Sequence, residues 1–351
     1  MNAMQRGFTM IELMIAMILG LVISAAAIQL FITGQMTFNL QQGTADVQDS
    51  GVFGMELMAR SIRAANYNNA SRVINDRTPW GGIVLTSDMV DDPIAGDLPR
   101  NLEGLQWDGN FAPSTLLTRG NGHTVGLGND WTGKSNVSLA AGGSVSSDQL
   151  VIQYQAHEDM FDCEGQTVLG PRLGTITQNG QIVENHPLKG DMVIERYFLR
   201  VDTLAAATEP GTPLALACDA GRYNLNNAQN VKDNKEPIVN YGDAGQILMN
   251  RVDHFHVLLG TEANNSTNQL FYSIRDYMTL PEASRPRIVS VKMSVLSRST
   301  ANTKSKQIDT TKEFVMLDQK VKVNTATNNE YVRQVYSTTI ALRNGIGGRP
   351  S

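Results

Sequence analysis

The strongest constraint on this chain is an unbroken apolar segment next to its amino terminus. Residues 8–33 read FTMIELMIAMILGLVISAAAIQLFIT, and Glu12 carries the only ionisable side chain among them. As a helix that rises about 1.5 Å per residue, this segment extends about 39 Å, which exceeds the ~30 Å hydrocarbon core of a bilayer. The sequence therefore predicts one membrane-spanning helix.

Charge and composition orient that helix and exclude several classes of protein. Arg6 precedes the segment and no Lys or Arg follows it until Arg60, so the positive-inside rule predicts residues 1–7 in the cytoplasm and the remainder outside it. The 351 residues carry a net charge of -5 with scattered basic residues. Nucleic-acid binding is not expected, because it requires a basic stripe. Two cysteines are too few for a disulfide-rich mini-protein.

A cleavable secretory signal is the alternative interpretation of this amino terminus. Ala25, Ala26 and Ala27 satisfy the small-residue pattern of such a signal. The apolar part of a secretory signal, however, has about 7–15 residues. The segment here is longer, holds an acid near its start and continues through Ile28 past the alanines. Conventional cleavage after Ala27 is therefore disfavoured.

Glu12 is the residue of this segment that most suggests a function. A carboxylate at the bilayer centre costs up to ~3 kcal/mol, so an acid inside a membrane segment is by default functional. If the chain were cut after Gly7, the new α-ammonium on Phe8 would lie one helical turn before Glu12, and the ammonium of a neighbouring copy could neutralise this carboxylate. Small residues that let helices approach closely follow at i+4 spacing, namely Ala16, Gly20 and Ser24. The general composition of membrane helices also explains this stripe.

Residues 6–12, RGFTMIE, followed by the apolar stretch, resemble the class III signal of type IV prepilins and pseudopilins. In that family a prepilin peptidase cuts after the glycine and N-methylates the phenylalanine. The resemblance therefore implies cleavage between Gly7 and Phe8, methylation of Phe8, and a role for Glu12 in aligning and assembling subunits. Ala16 and Gly20 are the further residues expected to support helix packing in the assembly. The proline that often interrupts the apolar segment in this family is missing here.

The helix is expected to continue beyond the membrane to about Asn66. Residues 34–66 carry an apolar stripe and several glycines, and we expect them to dock on a globular head formed by residues 67–351. The stripe comprises Leu40, Val47, Met55, Met58 and Ile62, and the glycines are Gly43, Gly51 and Gly54. Each glycine lowers helix stability by ~1 kcal/mol relative to alanine, which argues against a straight, rigid helix.

The head reads as short β-strands separated by Gly, Asn, Pro and Asp. Alternation over residues 150–154 and 289–295 predicts half-buried strands, and the apolar run 192–201 predicts a central strand. Residues 336–342 predict a last strand, whereas residues 104–147, rich in Gly, Asn and Ser, are interpreted as loops. The predicted fold class is α+β and pilin-like: a long N-terminal helix, membrane-spanning in its first half, packed on an antiparallel β-sheet head with large loop insertions and one disulfide.

The disulfide is expected from the compartment of the head. If the head is periplasmic, the oxidising compartment favours a bond between Cys163 and Cys218. Closing a loop of this length would stabilise the fold by roughly 4 kcal/mol on the chain-entropy model. Two free buried thiols are the alternative interpretation.

Features of the head narrow the resemblance to one kind of pilin. Residues 162–165, DCEG, the second cysteine at position 218 and the ending TTIALRN at residues 338–344 resemble the PilW-type minor pilins. This implies a structural, single-pass inner-membrane protein with a periplasmic head that prepilin peptidase processes and that initiates or caps a type IV pilus at its tip. Its implied partners are other minor pilins and the major pilin, bound through N-terminal helices. The alternatives are a J-type pseudopilin of type II secretion, or a pilin-anchored tip adhesin with residues 104–147 as binding loops.

Three further patterns suggest ligands, but each lacks the expected context. Residues 128–135, GNDWTGKS, fit the phosphate-binding P-loop pattern, yet poor helix formers follow them where a phosphate site needs a helix. His254 and His256 share one strand face, which is interpreted as solvated because no third ligand is in view. The charged run 157–164 has calcium-type ligands without EF-hand spacing. The sequence therefore predicts no catalytic residue, no metal site, no cofactor and no enzyme activity.

Overall fold

The structure is a computed structural model in which a long helix carries a β-rich head. It describes residues 9–88, 98–178, 181–205, 209, 211–226, 228–262, 269–303, 308–309, 311–324 and 330–345. The α-helices are α1, Met10–Ala64; α2, Ala228–Lys232; and α3, Ile274–Thr279. The strands are β1, Leu105–Trp107; β2, Val137–Leu139; β3, Leu150–Gln155; β4, Met160–Phe161; β5, Thr167–Val168; β6, Arg172–Gln178; β7, Gln181–Leu188; β8, Met192–Val201; β9, Leu214–Tyr223; β10, Glu236–Ile238; β11, Gln246–Met249; β12, Val252–Glu262; β13, Gln269–Ser273; β14, Ile288–Arg298; β15, Glu313–Met316; β16, Gln319–Val323; and β17, Arg333–Ala341. Single 3-10 turns lie at Ser114–Leu116, Glu282–Ser284 and Arg343–Gly345.

Helix α1 runs unbroken for 55 residues and has two unlike halves. The side chains of residues 10–39 are all exposed, whereas the second half has one buried face. That face comprises Gly43, Val47, Gly51, Gly54, Met55, Met58, Ala59 and Ile62. The helix ends at Ala64, just before the expected limit, because Asn66 adopts a positive φ of 63° that a right-handed helix does not allow.

Two four-stranded antiparallel sheets form the centre of the head. Their strand orders are β11-β9-β8-β3 and β13-β12-β14-β17. Val, Ile and aromatic residues give the longest of these strands their β propensity. The predicted central strand is confirmed, since β8 pairs with β3 on one side and with β9 on the other. The predicted last strand corresponds to β17, which pairs with β14 at the edge of the second sheet.

The main core lies between the docked half of α1 and the inner faces of both sheets. Met58 and Ile62 of α1 belong to one buried cluster with Ile152 of β3, Leu216 of β9 and Val291 of β14. The helix contacts β17, β14 and β11. The expected docking of the outer helix on the head is therefore present, and it joins the helix to both sheets.

Glycines in the docked half of α1 let the head approach the helix backbone. A Cβ on Gly51 would lie 2.3 Å from Cε2 of Tyr336 in β17. A Cβ on Gly54 would lie 2.0 Å from Cγ of Met249 in β11. Tertiary packing of this kind outweighs weak helix propensity. These glycines therefore mark close packing, and the helix continues through them.

The outer faces of both sheets are covered as well, so the prediction of half-buried strands was wrong. Strand β3 is buried throughout, and β14 is buried at all but one position. On the outer face of the first sheet, Val151 packs in a cluster with Leu102 and Leu116. On the outer face of the second, Leu296 packs with Phe314. The alternation marks the inner face correctly but does not reveal this second layer.

Residues 104–147 supply part of that outer layer and are more than loops. They contain β1, β2 and a 3-10 turn. Leu105, Leu117 and Trp131 are buried, and the indole N–H of Trp131 donates to the main-chain oxygen of Ser147 at 2.9 Å. The interpretation as a loop region is therefore confirmed for most of this segment, but the loops are not separate from the core, because scattered apolar side chains pack against the sheets.

The predicted disulfide between Cys163 and Cys218 is present, with Cα atoms 6.2 Å apart. Beside it, the fully buried Glu195 accepts hydrogen bonds from the Tyr154 hydroxyl at 2.9 Å, the Tyr197 hydroxyl at 2.6 Å and the Cys163 N–H at 3.1 Å. Burial raises the pKa of Glu195, and these hydrogen bonds oppose that rise. The disulfide and this carboxylate together tie the loop around Cys163 to the central sheet.

Candidate functional site

The amino-terminal end of α1 holds the carboxylate predicted to act in assembly. Thr9 is the N-cap residue, and its N–H and its hydroxyl each lie 3.0 Å from Glu12 Oε2. The Glu12 N–H donates in return to Thr9 Oγ1 at 3.3 Å. This reciprocal pair is a capping box. The capping box therefore gives the Glu12 carboxylate hydrogen-bond donors within a single copy of the chain. Gly7 and Phe8, the predicted cleavage and methylation site, lie outside the described residues.

The small residues that follow Glu12 lie on an exposed part of α1. A Cβ added to Gly20 would meet no atom within 4 Å, so nothing else in the described chain requires a glycine there. The Ser24 hydroxyl donates to the main-chain oxygen of Gly20 at 2.8 Å and so stays within its own helix. Ala16 and Gly20 leave a shallow strip on which a second helix can pack closely. Their role in assembly stays a prediction.

The first half of α1 is long and apolar enough to cross a membrane. None of its most apolar part is buried inside the protein. Large side chains project on all sides, for example Leu21, 73% exposed, and Leu30, 74% exposed. A surface of this kind requires lipid or other apolar helices around it.

The second half of α1 also exposes apolar side chains outside its buried face. Val52, Phe53 and Leu57 are 58%, 70% and 54% exposed. Leu57 lines a groove, together with Leu248, between the helix and the loop of residues 157–163, and Phe161 at this groove is 70% exposed. We call this surface the helix-flank surface (Phe53, Leu57, Phe161), since Phe53 lies one helical turn before Leu57 on the same flank, and no sequence pattern described above predicted it. The apolar residues of the helix outside the docked stripe could have indicated this surface.

His254 and His256 are fully buried, so the interpretation as a solvated strand face was wrong. The sheet β15-β16-β2 lies over this part of β12. His256 is 2.7 Å from Asp148 through Nδ1 and 2.7 Å from Asp318 through Nε2. Burial alone would lower the pKa of His256, but Asp148 and Asp318 raise it to about 9.

The pKa of the neighbouring His254 shifts in the opposite direction. Its Nδ1 lies 2.9 Å from the Ser135 hydroxyl and 3.0 Å from the Ser147 hydroxyl. Burial, and also the adjacent His256, lowers the pKa of His254 to about 4. The pair therefore consists of one cationic and one neutral imidazole near neutral pH. It fixes β12 to the covering segments, and its burial gives no access to a substrate.

The other two sequence patterns also serve the fold. The P-loop-like residues 128–135 are followed by strand β2, not by the helix that a phosphate site needs. In the charged run 157–164, Asp162 accepts a hydrogen bond from the Gln166 N–H at 2.8 Å. Asp159 accepts one from the Gly170 N–H at 2.8 Å. These carboxylates therefore hold the backbone of their own loop through hydrogen bonds.

Comparison with known proteins gives two family matches. Residues 219–344 match the family described as type IV pilus-assembly protein W. Residues 2–28 match the prokaryotic N-terminal methylation motif. No curated protein and no solved structure gives a significant match. The two matches cover the end of the head and the start of the helix, and neither family is one of enzymes.

Proposed function

We propose that the chain is a type IV minor pilin of the PilW type, which its two family matches support, and that it helps to initiate or cap a pilus at its tip. The observation that carries this proposal is the contrast within α1. One half is part of the core of the head, and the other exposes a continuous apolar surface. Such a helix is anchored in the membrane before assembly and packs with the helices of other pilins afterwards.

Residues 1–7 are then a cytoplasmic leader that prepilin peptidase removes. Residues 8–33 form the membrane and assembly helix, residues 34–66 its periplasmic continuation, and residues 67–351 the head. Before assembly the protein is a single-pass protein of the inner membrane with its head in the periplasm. After assembly it lies at the pilus tip on the cell surface. The family match to a pilus-assembly protein favours this machine over type II secretion.

Glu12 would join the subunits through charge. Cleavage after Gly7 creates an ammonium on Phe8, and in a membrane the ammonium of one subunit attracts the Glu12 carboxylate of the next. Within one copy the Thr9 N–H and hydroxyl satisfy this carboxylate. Assembly thus exchanges hydrogen bonds from neutral donors for a charged pair between subunits, which is stronger where water is excluded.

The size of the head supports a place at the tip and not along the shaft. It extends over residues 67–351 and would crowd a repeating filament. The helix-flank surface exposes Phe53 and Phe161, each 70% exposed, beside the assembly helix. Apolar patches of this kind mark protein interfaces. We assign this surface to contact with the head of a neighbouring minor pilin.

A co-purification experiment tests the role of Glu12. The variants Glu12→Ala and Glu12→Gln should insert into the membrane normally but recover markedly less of the partner pilins in detergent pull-downs. Glu56→Ala is the matched control, because Glu56 is an exposed acid on the same helix that pairs with Arg63 at the surface. Unchanged recovery with both Glu12 variants, or an equal loss with Glu56→Ala, would refute the assembly role.

A further inference from the structure

Three carboxylates meet beside the disulfide at one end of the head. One oxygen each of Glu164, Asp219 and Asp243 lies within 4.8 Å of the others. Glu164 directly follows Cys163 and Asp219 directly follows Cys218, so the disulfide holds these two acids side by side. Like charges at such distances repel each other unless a cation lies among them.

The loop that carries Asp243 is fixed against β9 by hydrogen bonds. The Gly242 N–H donates to Asp219 Oδ2 at 2.9 Å, and the Gly245 N–H donates to Asp243 Oδ1 at 2.7 Å. Arg196 donates through Nη2 to the main-chain oxygen of Asp243 at 2.8 Å. The backbone therefore holds Asp219 and Asp243 together.

Asp219 provides the independent observation that points to a ligand. Its side chain is 0% exposed, and its Oδ2 accepts hydrogen bonds from Arg196 and from Gly242. The buried Oδ1 has no hydrogen-bond partner among the residues that the structure describes. A buried carboxylate oxygen is strongly destabilising without a donor or a cation, and native folds rarely leave one so.

The charge balance and the donor atoms define the class of ligand. Three carboxylates against the guanidinium of Arg196, which lies 2.7 Å from Asp219 Oδ2, leave two net negative charges, which a divalent cation would neutralise. All the donors are oxygens, as hard cations require. Ca²⁺ tolerates an irregular, flexible set of oxygen ligands, whereas Mg²⁺ demands a regular octahedron. Three acids from three separate segments form an irregular set of ligands, which suits Ca²⁺ better than Mg²⁺.

We propose that Glu164, Asp219 and Asp243 bind one Ca²⁺ ion, with water completing its coordination on the exposed side of Asp243. The ion bridges the loop after Cys163, strand β9 and the loop before β11. It thereby fastens together the same part of the head that the disulfide closes. The site is independent of the pilus assignment, because it requires only an extracytoplasmic head that meets calcium.

Calorimetric titration with CaCl₂ tests the site on the full chain purified in detergent. The test variants are Glu164→Gln and Asp243→Asn. Each amide keeps an oxygen acceptor for the neighbouring backbone N–H groups, Ala220 for residue 164 and Gly245 for residue 243, so both variants should fold. Glu158→Gln is the matched control, since its 72% exposed carboxylate lies in the same charged run but outside the cluster.

We expect the wild-type chain and Glu158→Gln to bind one Ca²⁺ with a Kd of about 10⁻⁴–10⁻³ M, the range of extracellular sites. Each test variant should bind at least about tenfold more weakly, because it loses one of three charged ligands. Ca²⁺ should also raise the unfolding temperature of the wild-type chain and not that of Asp243→Asn. The absence of Ca²⁺ binding to the wild-type chain, or equal affinity in the test variants and the control, would overturn the proposal.

Discussion

The two halves of α1 use the same residue types in different environments. Gly20 and Gly34 in the first half have no atom within 4 Å of an added Cβ, whereas Gly51 and Gly54 in the second half would place a Cβ within 2.3 Å of a neighbouring side chain. The first half exposes its large apolar side chains, and the second buries Met58 completely.

This difference shows that one unbroken helix has two unlike environments. The second half is already packed in its final environment, because its partners are strands of the same chain. The first half has no such partners among the described residues, and under the proposed function lipid and then other pilins supply them. Substitutions in the head should therefore change the stability of the docked half of the helix and leave the exposed half unchanged. Four experiments test this separation.

Removal of the disulfide should have the largest effect. Double substitution Cys163→Ala and Cys218→Ala opens a closed loop, with a sequence separation of 55, and should lower the free energy of unfolding of the head by about 4 kcal/mol. Urea unfolding followed by tryptophan fluorescence reports this change, since all three tryptophans lie in the head. Hydrogen exchange of residues 10–33 in detergent should not change. Faster hydrogen exchange in residues 10–33 would contradict the claim that the two halves of the helix respond independently.

Alkaline pH should have the next largest effect, through His256. Its pKa is raised to about 9 in the fold and is about 6.5 in an unfolded chain. The stabilisation is therefore complete below about pH 6.5 and is lost as the pH rises through 9, a loss of about 3 kcal/mol. Urea unfolding of the head between pH 6.5 and 9.5 should show this decline in the wild-type chain and a much flatter profile in His256→Gln.

His254→Gln is the control for that titration. Because the pKa of His254 is lowered to about 4, its protonation affects stability only as the pH falls below about 6.5. The variant should therefore keep the alkaline decline of the wild-type chain. An alkaline decline of equal size in His256→Gln would show that other groups cause it.

The smallest effect should come from alanine at the helix glycines. Gly51→Ala places a methyl group against the Tyr336 ring and should lower head stability by about 1–3 kcal/mol through overpacking. Gly34→Ala, with free space around it, should not lower head stability, because alanine favours the helix by ~1 kcal/mol. Thermal unfolding of both variants measures the contrast. Equal effects at the two positions would contradict the distinction between the exposed and docked halves.

Sequence periodicity predicted the helix and the main strands because each depends on residues close in the chain. The apolar run from residue 8, the alternation in β3 and β14, and the continuous run in β8 all appear as elements near their expected bounds. The disulfide was predictable from compartment and cysteine count. The cleavage and methylation predicted at Gly7 and Phe8 depend on a sequence motif alone, and both residues lie outside the described residues.

The features that could not be predicted from the sequence depend on contacts between distant segments of the chain. Residues 104–147 alternate in no regular period, so their packing over β3 could not be assigned, and His254 and His256 were placed on the wrong kind of face for the same reason. Glu164, Asp219 and Asp243 are far apart in sequence, and only the disulfide and the loop before β11 bring them together. Alternation identifies the inner face of a strand, but it carries no information about what covers the other.

The most direct test of the central claim is mass spectrometry of the chain recovered from sheared, purified pili. A pilin that is processed and then assembled through its exposed half of α1 should be present in that fraction and begin at N-methylated Phe8. A chain that begins at Met1 or after Ala27, or that is confined to the membrane fraction and absent from the pili, would contradict the account.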